Sequence, residues 1–381
     1  MSDARIIFVG GGTGGHLAPC LAVATRWQAA GHGAEVVISR KPVDARMAAA
    51  HPELPVITAP GAGWSGGLGG RLQSIRQGLL GLIFAGRHLR RSRPRAVFGF
   101  GGFLTGIYAA AARLTRTPLV LHEANRVPGR AIRSLARGAT RLYLPAGVKL
   151  ARVAPMRIRE VGVPLRPSVQ HIPKADVRQK LAIPRWDKVL LVLGGSQGAA
   201  SLTQWTRDHL DALFARGIHV ICLTGMKGGP GETVRGEGPS GCQVEARFLP
   251  FSDNMAELLS VADVVVSRAG AGSIAEIIRC IVPAILVPYP HAADDHQRAN
   301  ATYLERRGGA VVVQPEALDT LWEEVHQLIH YDRLLERMRG NLRALAREDA
   351  AGVILHDLET RLATPLGALS PAPTAPLPSA G

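Results

Sequence analysis

Two kinds of residue in this chain could do chemistry together: glycine-rich turns that offer backbone N–H groups to phosphate, and a small set of imidazole, carboxylate and amide side chains beside those turns. The opening stretch "RIIFVGGGTGGHLAPCLAVA" runs from an apolar segment through Gly10, Gly12 and Gly15 to His16 and a helical pattern. Such a turn at a helix start presents orphan N–H groups and the positive end of a helix dipole to an anion. Read as GxGxxG between strand and helix, it suggests a dinucleotide site, which also needs an acidic residue at the end of the second strand. Here "AEVVISR" ends in Ser39 and Arg40, so an NAD site lacks its anchor, while Arg40 could meet the 2'-phosphate of NADP.

The second half carries its own set. "VLLVLGGSQGAAS" repeats the strand, glycine turn and helix start, and Ser196 lies in the turn. "VADVVVSRAGAGSIAE" delivers Arg268 to the end of an apolar strand and starts a helix carrying Glu276, a carboxylate placed to accept hydrogen bonds from ribose hydroxyls. In "HAADDHQRANA", His296 or Gln297 and Asn300 share a helical face and suit sugar hydroxyls without the cost of a charge. Asp294 and Asp295 are adjacent rather than spaced as DxD, and no cluster with ligand spacing stands elsewhere, so no metal and no cofactor is expected. Helix dipoles and Arg268 can then meet a leaving diphosphate.

The elements that must position these residues form two series. Strands expected near 4–9, 35–39, 95–99, 118–122 and 141–144 alternate with helices, which argues for a parallel sheet covered by helices. Prolines and charges interrupt the pattern after "VGVPLRPSVQ", and "KVLLVLGG" opens a second alternating series. The fold class expected is α/β, with two Rossmann-like domains facing across a cleft: residues 1–165, 166–345, a helix over 346–363, and a disordered Pro/Ala/Ser-rich tail over 364–381. Helices are expected near 317–330, 333–347 and 350–363.

Charge divides along the same line. Over residues 1–165, 21 arginines and two lysines against six acids leave +17; beyond, 22 basic and 24 acidic residues leave −2. Residues 71–141 hold 14 arginines and one acid, Glu123. A basic half implies an anionic partner. Aromatic content of 5% gives no interleaved stacking platform, so nucleic acid is not expected. No apolar run approaches the roughly 18 residues of a membrane span, and the N-terminus lacks a signal-peptide layout, so a cytoplasmic protein is expected. The stretch 70–95 instead sets Leu72, Ile75, Leu79, Leu82, Ile83 and Leu89 near one helical face flanked by arginines, a pattern shared by membrane-surface helices and ordinary packing helices. Cys20, Cys222, Cys242 and Cys280 show no CxxC and read as buried free thiols.

Taken in order, "GGTGGHLAPCLAVA", "GGFLTG", "HEANRVPGRAIR", "GGSQGA", "SRAGAGSIAE" and "PHAADDHQRANA" resemble the MurG family, bacterial transferases that add N-acetylglucosamine to lipid I in peptidoglycan synthesis. The resemblance implies the GT-B arrangement and a peripheral enzyme on the cytoplasmic face of the plasma membrane, with an anionic membrane surface as partner. It places UDP-N-acetylglucosamine on the second domain. Glu276 would take the ribose, Ser196 and its glycines the diphosphate, Phe251 the uracil edge through its backbone, and Gln297 and Asn300 the sugar, with Arg166, Arg268 and Ser273 completing the set. The lipid-linked muramoyl-peptide acceptor would lie on the first domain. There its diphosphate meets Thr13, Gly14, Gly15, His16, Gly101 and Gly102, Asn125 holds its sugar, and His16 or Glu123 serves as base. Ala124, Phe103 and Val163 depart from the family's usual glutamine, tyrosine and asparagine. Another lipid acceptor, sugar-nucleotide epimerisation and an NADP oxidoreductase are the competing readings.

Overall fold

A computed structural model describes residues 5–61, 68–181, 183–184, 187–194, 200–225, 229–252, 254–346 and 349–363. Among the described residues the first half forms seven strands, β1 (Ile6–Val9), β2 (Ala34–Ile38), β3 (Val56–Thr58), β4 (Ala96–Gly99), β5 (Leu119–His122), β6 (Arg141–Leu144) and β7 (Ile158–Glu160). Helices α1 (Gly14–Ala29), α2 (Pro42–Ala49), α3 (Leu68–Ser92), α4 (Gly102–Thr115) and α5 (Arg130–Leu135) connect them. The strands pair in parallel in the order β3-β2-β1-β4-β5-β6-β7. Order reverses between β1 and β4, which leaves a crevice at the strands' carboxyl ends, where the glycine turns lie.

The second half repeats the plan with β8 (Lys188–Leu193), β9 (Ile218–Leu223), β10 (Glu232–Glu237), β11 (Gln243–Leu249), β12 (Val264–Ser267), β13 (Ala284–Leu286) and β14 (Ala310–Val312). Its helices are α6 (Lys174–Leu181), α7 (Ala200–Asp208), α8 (Leu210–Phe214), α9 (Met255–Val261), α10 (Ala271–Cys280), α11 (His296–Arg306), α12 (Leu321–His330), α13 (Asp332–Leu345) and α14 (Ala350–Ala363). The order is β10-β11-β9-β8-β12-β13-β14, parallel except for the hairpin partner β10.

Each sheet is buried on both faces. Along β1, Ile6 and Phe8 join α1 and α14 in one core, while Ile7 and Val9 join α3 and α4 in another, as the two-residue strand period requires. The second sheet is likewise covered on both sides. The last helix, α14, returns to the first half: Ile354, Leu358 and Leu362 pack with Leu17, Leu21 and Trp27 of α1. Asp357 receives Nε and Nη2 of Arg141 at 2.7 and 2.6 Å and the Tyr143 hydroxyl at 2.8 Å. Burial works against its ionisation, but these donors outweigh that and hold its carboxyl below the usual range.

Several expectations need adjusting. The reading passes over β3 and β7, three-residue edge strands whose residues are mostly exposed or half-exposed and leave no apolar alternation. Residues 315–320 form a 3-10 turn ahead of α12. Cys242 is exposed, whereas Cys20, Cys222 and Cys280 are buried. The tail over 364–381 lies outside the described residues.

Candidate active site

The opening glycine turn takes its shape from backbone freedom and one hidden acid. Gly11 and Gly12 adopt φ of +147° and +86°, in the region that favours glycine. Asp44, fully buried in α2, accepts the Gly12 N–H at 2.7 Å, the Ser39 N–H at 3.2 Å and the Ser39 hydroxyl at 2.5 Å, all on Oδ2. A Cβ on Gly11 would sit 2.6 Å from that oxygen. Lys41 Nζ clamps the Gly12 carbonyl at 2.6 Å. Sequence reading missed Asp44 and Lys41, because Asp44 stands five residues beyond the position where a ribose-binding acid is sought and turns inward to its own loop.

The turn leads into a helix start left open to an anion. Thr13, the N-cap of α1, makes no side-chain cap, and the first turn holds no acid. The same is true of α4 and α10, which follow the carboxyl ends of β4 and β12. Their N–H groups and dipoles therefore face the crevice uncompensated by their own side chains. The expected Gly14 and Gly15 open α1, Gly101 and Gly102 open α4, and Ser273 stands in the first turn of α10.

His16 sits where these starts converge. Thr13 Oγ1 lies 3.1 Å from its Nδ1, and its ring lies against Gly101 and Gly102, where a Cβ on Gly101 would meet Cδ2 at 3.0 Å. Gly101, at φ +99°, is thus doubly required. Burial lowers the imidazole's pKa; Glu123 pulls the other way, and His296 of the second half adds to the lowering. The ring is neutral at neutral pH and shares its electrostatic surroundings with the opposite domain.

Glu123 is committed elsewhere. Its Oε1 accepts the Asn125 N–H at 2.9 Å and the Asn125 amide at 3.0 Å, and its Oε2 accepts the Gly129 N–H at 2.7 Å. Only 5% exposed, it shapes the loop after β5. That loop meets the second domain through Asn300, which is 3% exposed. Asn300 Oδ1 accepts the Arg126 N–H at 2.9 Å, and its Nδ2 donates to Asn125 Oδ1 at 3.1 Å and to the Ala269 carbonyl at 3.2 Å. Asn125 and Asn300, expected to hold different sugars, are bonded to each other. Their pairing across 175 residues has no local sequence signal.

On the donor side, Gln297 Oε1 accepts the N–H groups of Ala269 at 3.1 Å and Tyr289 at 2.9 Å, joining the ends of two strands. Arg268 donates to the Val287 and Pro288 carbonyls at 3.2 and 3.1 Å and to Ser201 Oγ at 2.8 Å, while its Nε is buried with no partner among the described residues. Burial lowers its pKa, and among the described residues no carboxylate pairs with it. Burial pushes Glu276 up to about 7, and the nearby Arg166 charge only partly offsets this. Phe251 is 39% exposed, with the Arg46 guanidinium of α2 stacked 4.6 Å from its ring centroid, a second bridge between the halves. Ser196 lies outside the described residues.

Asp294 and Asp295 meet arginines. Asp294 pairs with Arg133 at 2.5 Å and Arg130 at 3.8 Å, and Asp295 with Arg298 at 3.2 Å. Both adopt left-handed backbone, φ +53° and +52°. Ala124 and Val163, two of the family departures, line a recess of about 170 Å³ between the domains, and Phe103 lies beside Gly12.

Comparison with known proteins agrees with this arrangement. Residues 6–144 match the glycosyltransferase family 28 N-terminal domain and residues 189–353 its C-terminal domain. A UDP-N-acetylglucosamine--N-acetylmuramyl-(pentapeptide) pyrophosphoryl-undecaprenol N-acetylglucosamine transferase of Opitutus terrae is 45% identical, over 92% of this chain and 93% of the relative. The protein of the same name from Parasynechococcus marenigrum is 38% identical, over 91% and 96%. A crystal structure of Acinetobacter baumannii MurG superposes with TM-score 0.70 at 25% identity, covering 93% of this chain and 99% of that one. The glycotransferase of kitacinnamycin, 18% identical with TM-score 0.69, shares the fold. With both domains matched in order around one interdomain cleft, the chain belongs to glycosyltransferase family 28.

Proposed function

We propose that this chain moves N-acetylglucosamine from UDP-N-acetylglucosamine to lipid I, a lipid-linked diphospho-muramoylpentapeptide, giving lipid II with inversion at the sugar. The observation that carries the reading is a neutral, half-buried His16 at the start of α1, within electrostatic reach of His296 of the second domain, with the desolvated Glu276 of α10 on the second-domain side of the crevice. Open helix starts lie on both sides of that crevice.

In this mechanism Glu276 accepts the ribose hydroxyls, and the N–H groups of α10 together with Arg268 face the donor diphosphate. The acceptor diphosphate lies on the starts of α1 and α4. With Nδ1–H donating to Thr13 Oγ1, His16 Nε2 takes the proton of the acceptor's sugar hydroxyl as its oxygen bonds to the anomeric carbon. The bond to UDP breaks, and UDP departs with the electron pair, stabilised by dipoles and Arg268. Glu123 is a positioning residue that keeps Asn125 and Asn300 in register, and His16 is the base.

The membrane contact has its own support. Ile75, Leu79, Leu80 and Ile83 of α3 are 45–58% exposed, while Ala85 and Leu89 are buried in the core, so one helix carries both a packing face and an unpartnered apolar face. Leu114, on the adjoining α4, is 68% exposed. Arg76, Arg87, Arg90 and Arg91 are exposed on the same helix, a pattern suited to an anionic bilayer surface. Among the described residues no helix is long and apolar enough to cross a membrane.

Three outcomes are expected. Labelled N-acetylglucosamine passes from its UDP conjugate to a short-chain lipid I, and His16→Ala slows transfer about 100- to 10,000-fold while UDP affinity, measured by calorimetry, is unchanged. UDP binding without transfer by the wild-type chain would remove the acceptor assignment.

Glu276→Gln weakens UDP about 10- to 100-fold through lost charged hydrogen bonds. In the free chain the raised carboxyl binds a proton that the unfolded chain, at about 4.5, has released. Stability therefore falls as pH rises from about 4.5 to 7 and is level above. Glu276→Gln should thus gain up to about 3 kcal/mol over wild type at pH 8 and little at pH 4, read by urea unfolding. Equal stability at pH 8 would contradict the desolvated carboxylate.

Leu79→Asp with Ile83→Asp should cut sedimentation with phosphatidylglycerol vesicles about 10-fold or more. Undiminished binding by that variant would exclude α3 as the contact.

A further inference from the structure

Past the bonded pair Asn125 and Asn300, the loop after β5, the turn after β6 and α11 border an open hollow of about 780 Å³. Four guanidiniums line it, those of Arg126, Arg298, Arg306 and Arg307, against the two carboxylates of Asp294 and Asp295. Both carboxylates are already matched, Asp294 by Arg133 and Arg130 and Asp295 by Arg298. Among the described residues, Arg126, Arg306 and Arg307 form no ion pair. Tyr303 draws two of them together, with the guanidinium carbons of Arg126 and Arg307 at 4.2 and 5.0 Å from its ring centroid. Like charges gathered on one wall form a standing site for an anion, and planar guanidiniums favour carboxylates held by paired N–H groups.

We propose that this hollow is the subsite for the acceptor's peptide, whose carboxylates pair with Arg126, Arg306 and Arg307. The inference rests on the transferase reading above, in which the acceptor carries a diphosphate, a lipid, a sugar and a peptide. The open starts of α1 and α4 serve the diphosphate, and the exposed face of α3 serves the lipid. The peptide is the remaining anionic portion, since any peptide with a free end bears a carboxylate. Arg126 directly follows Asn125 in the loop after β5, at the seam between the two domains, so a peptide leaving a sugar held in the crevice beside that seam enters the hollow at its first guanidinium. The hollow also shares Arg126, Ala146 and Tyr303 with the recess of about 170 Å³ lined by Ala124, Val163 and Ile274, which offers an apolar wall to peptide side chains.

The test compares wild type with Arg306→Ala/Arg307→Ala. Each is assayed with the peptide-bearing lipid acceptor and with the same acceptor after its peptide carboxylates are converted to amides. The expected result is a KM for the native acceptor raised about 10-fold in the variant, with kcat and the KM for UDP-N-acetylglucosamine unchanged. Amidation should raise the wild-type KM at least as much and add a smaller further rise in the variant, which keeps Arg126. An unchanged acceptor KM in the variant, or the same loss with both acceptors, would overturn the proposal. Failure of the transferase reading would look different, because the wild-type chain would then transfer to neither acceptor.

Discussion

The site depends on one buried amide. Asn300 spends its oxygen on the Arg126 backbone and its nitrogen on Asn125 and Ala269, so a single side chain fixes the distance between the loop after β5 and the end of β12. A buried amide left without partners is costly, which makes the juxtaposition of the two domains an all-or-none matter at this point. Glu123 supports it from below by holding both ends of the Asn125 loop. Gln297, one turn earlier on α11, ties Ala269 to Tyr289, so the donor side of the seam is as firmly set as the acceptor side. Asp294 and Arg133 add an ion pair at the rim of the same interface.

Around that seam the fold departs from what would make it most stable. Helix starts lack side-chain caps, Glu276 sits where burial opposes its charge, Arg268 Nε has no partner among the described residues, and Asp294 and Asp295 hold left-handed backbone. The open helix starts, Glu276 and Arg268 leave hydrogen-bonding groups or charge that no described residue meets, beside the carboxyl edges of the sheets, whereas Asp294 and Asp295 are matched by arginines. Such concentration of unfavourable local choices is the mark of a binding site on an otherwise consistent fold. The cost is offset elsewhere by doubly covered sheets and by α14, whose Asp357 returns to Arg141 and Tyr143.

Much of this is legible in the amino-acid sequence. The glycine turns, the doubled strand-turn-helix plan and the division of charge gave the two domains and put His16, Arg268 and Glu276 at their edges. What was not legible is what depends on distant partners. Glu123 reads as a candidate base because it is the one acid among 14 arginines over residues 71–141, yet its oxygens belong to its own loop. Asn125 and Asn300 read as separate sugar ligands, and only folding shows them joined. Asp44 left no signal beyond being an acid in the first turn of α2, and its role appears only with the loop wrapped over it. The short strands β3 and β7 escape for the opposite reason, being too brief to show a period.

The claim on which these relations turn is that the acceptor, held by the first domain, attacks from the face opposite UDP, held by the second. The anomeric configuration of the disaccharide product, read by the proton coupling constant at the newly linked sugar, tests it directly. Starting from the α-linked UDP donor, a β linkage is expected. An α linkage would place both substrates on one face of the sugar and contradict the assignment of His16 and Glu276 to opposite sides of one displacement.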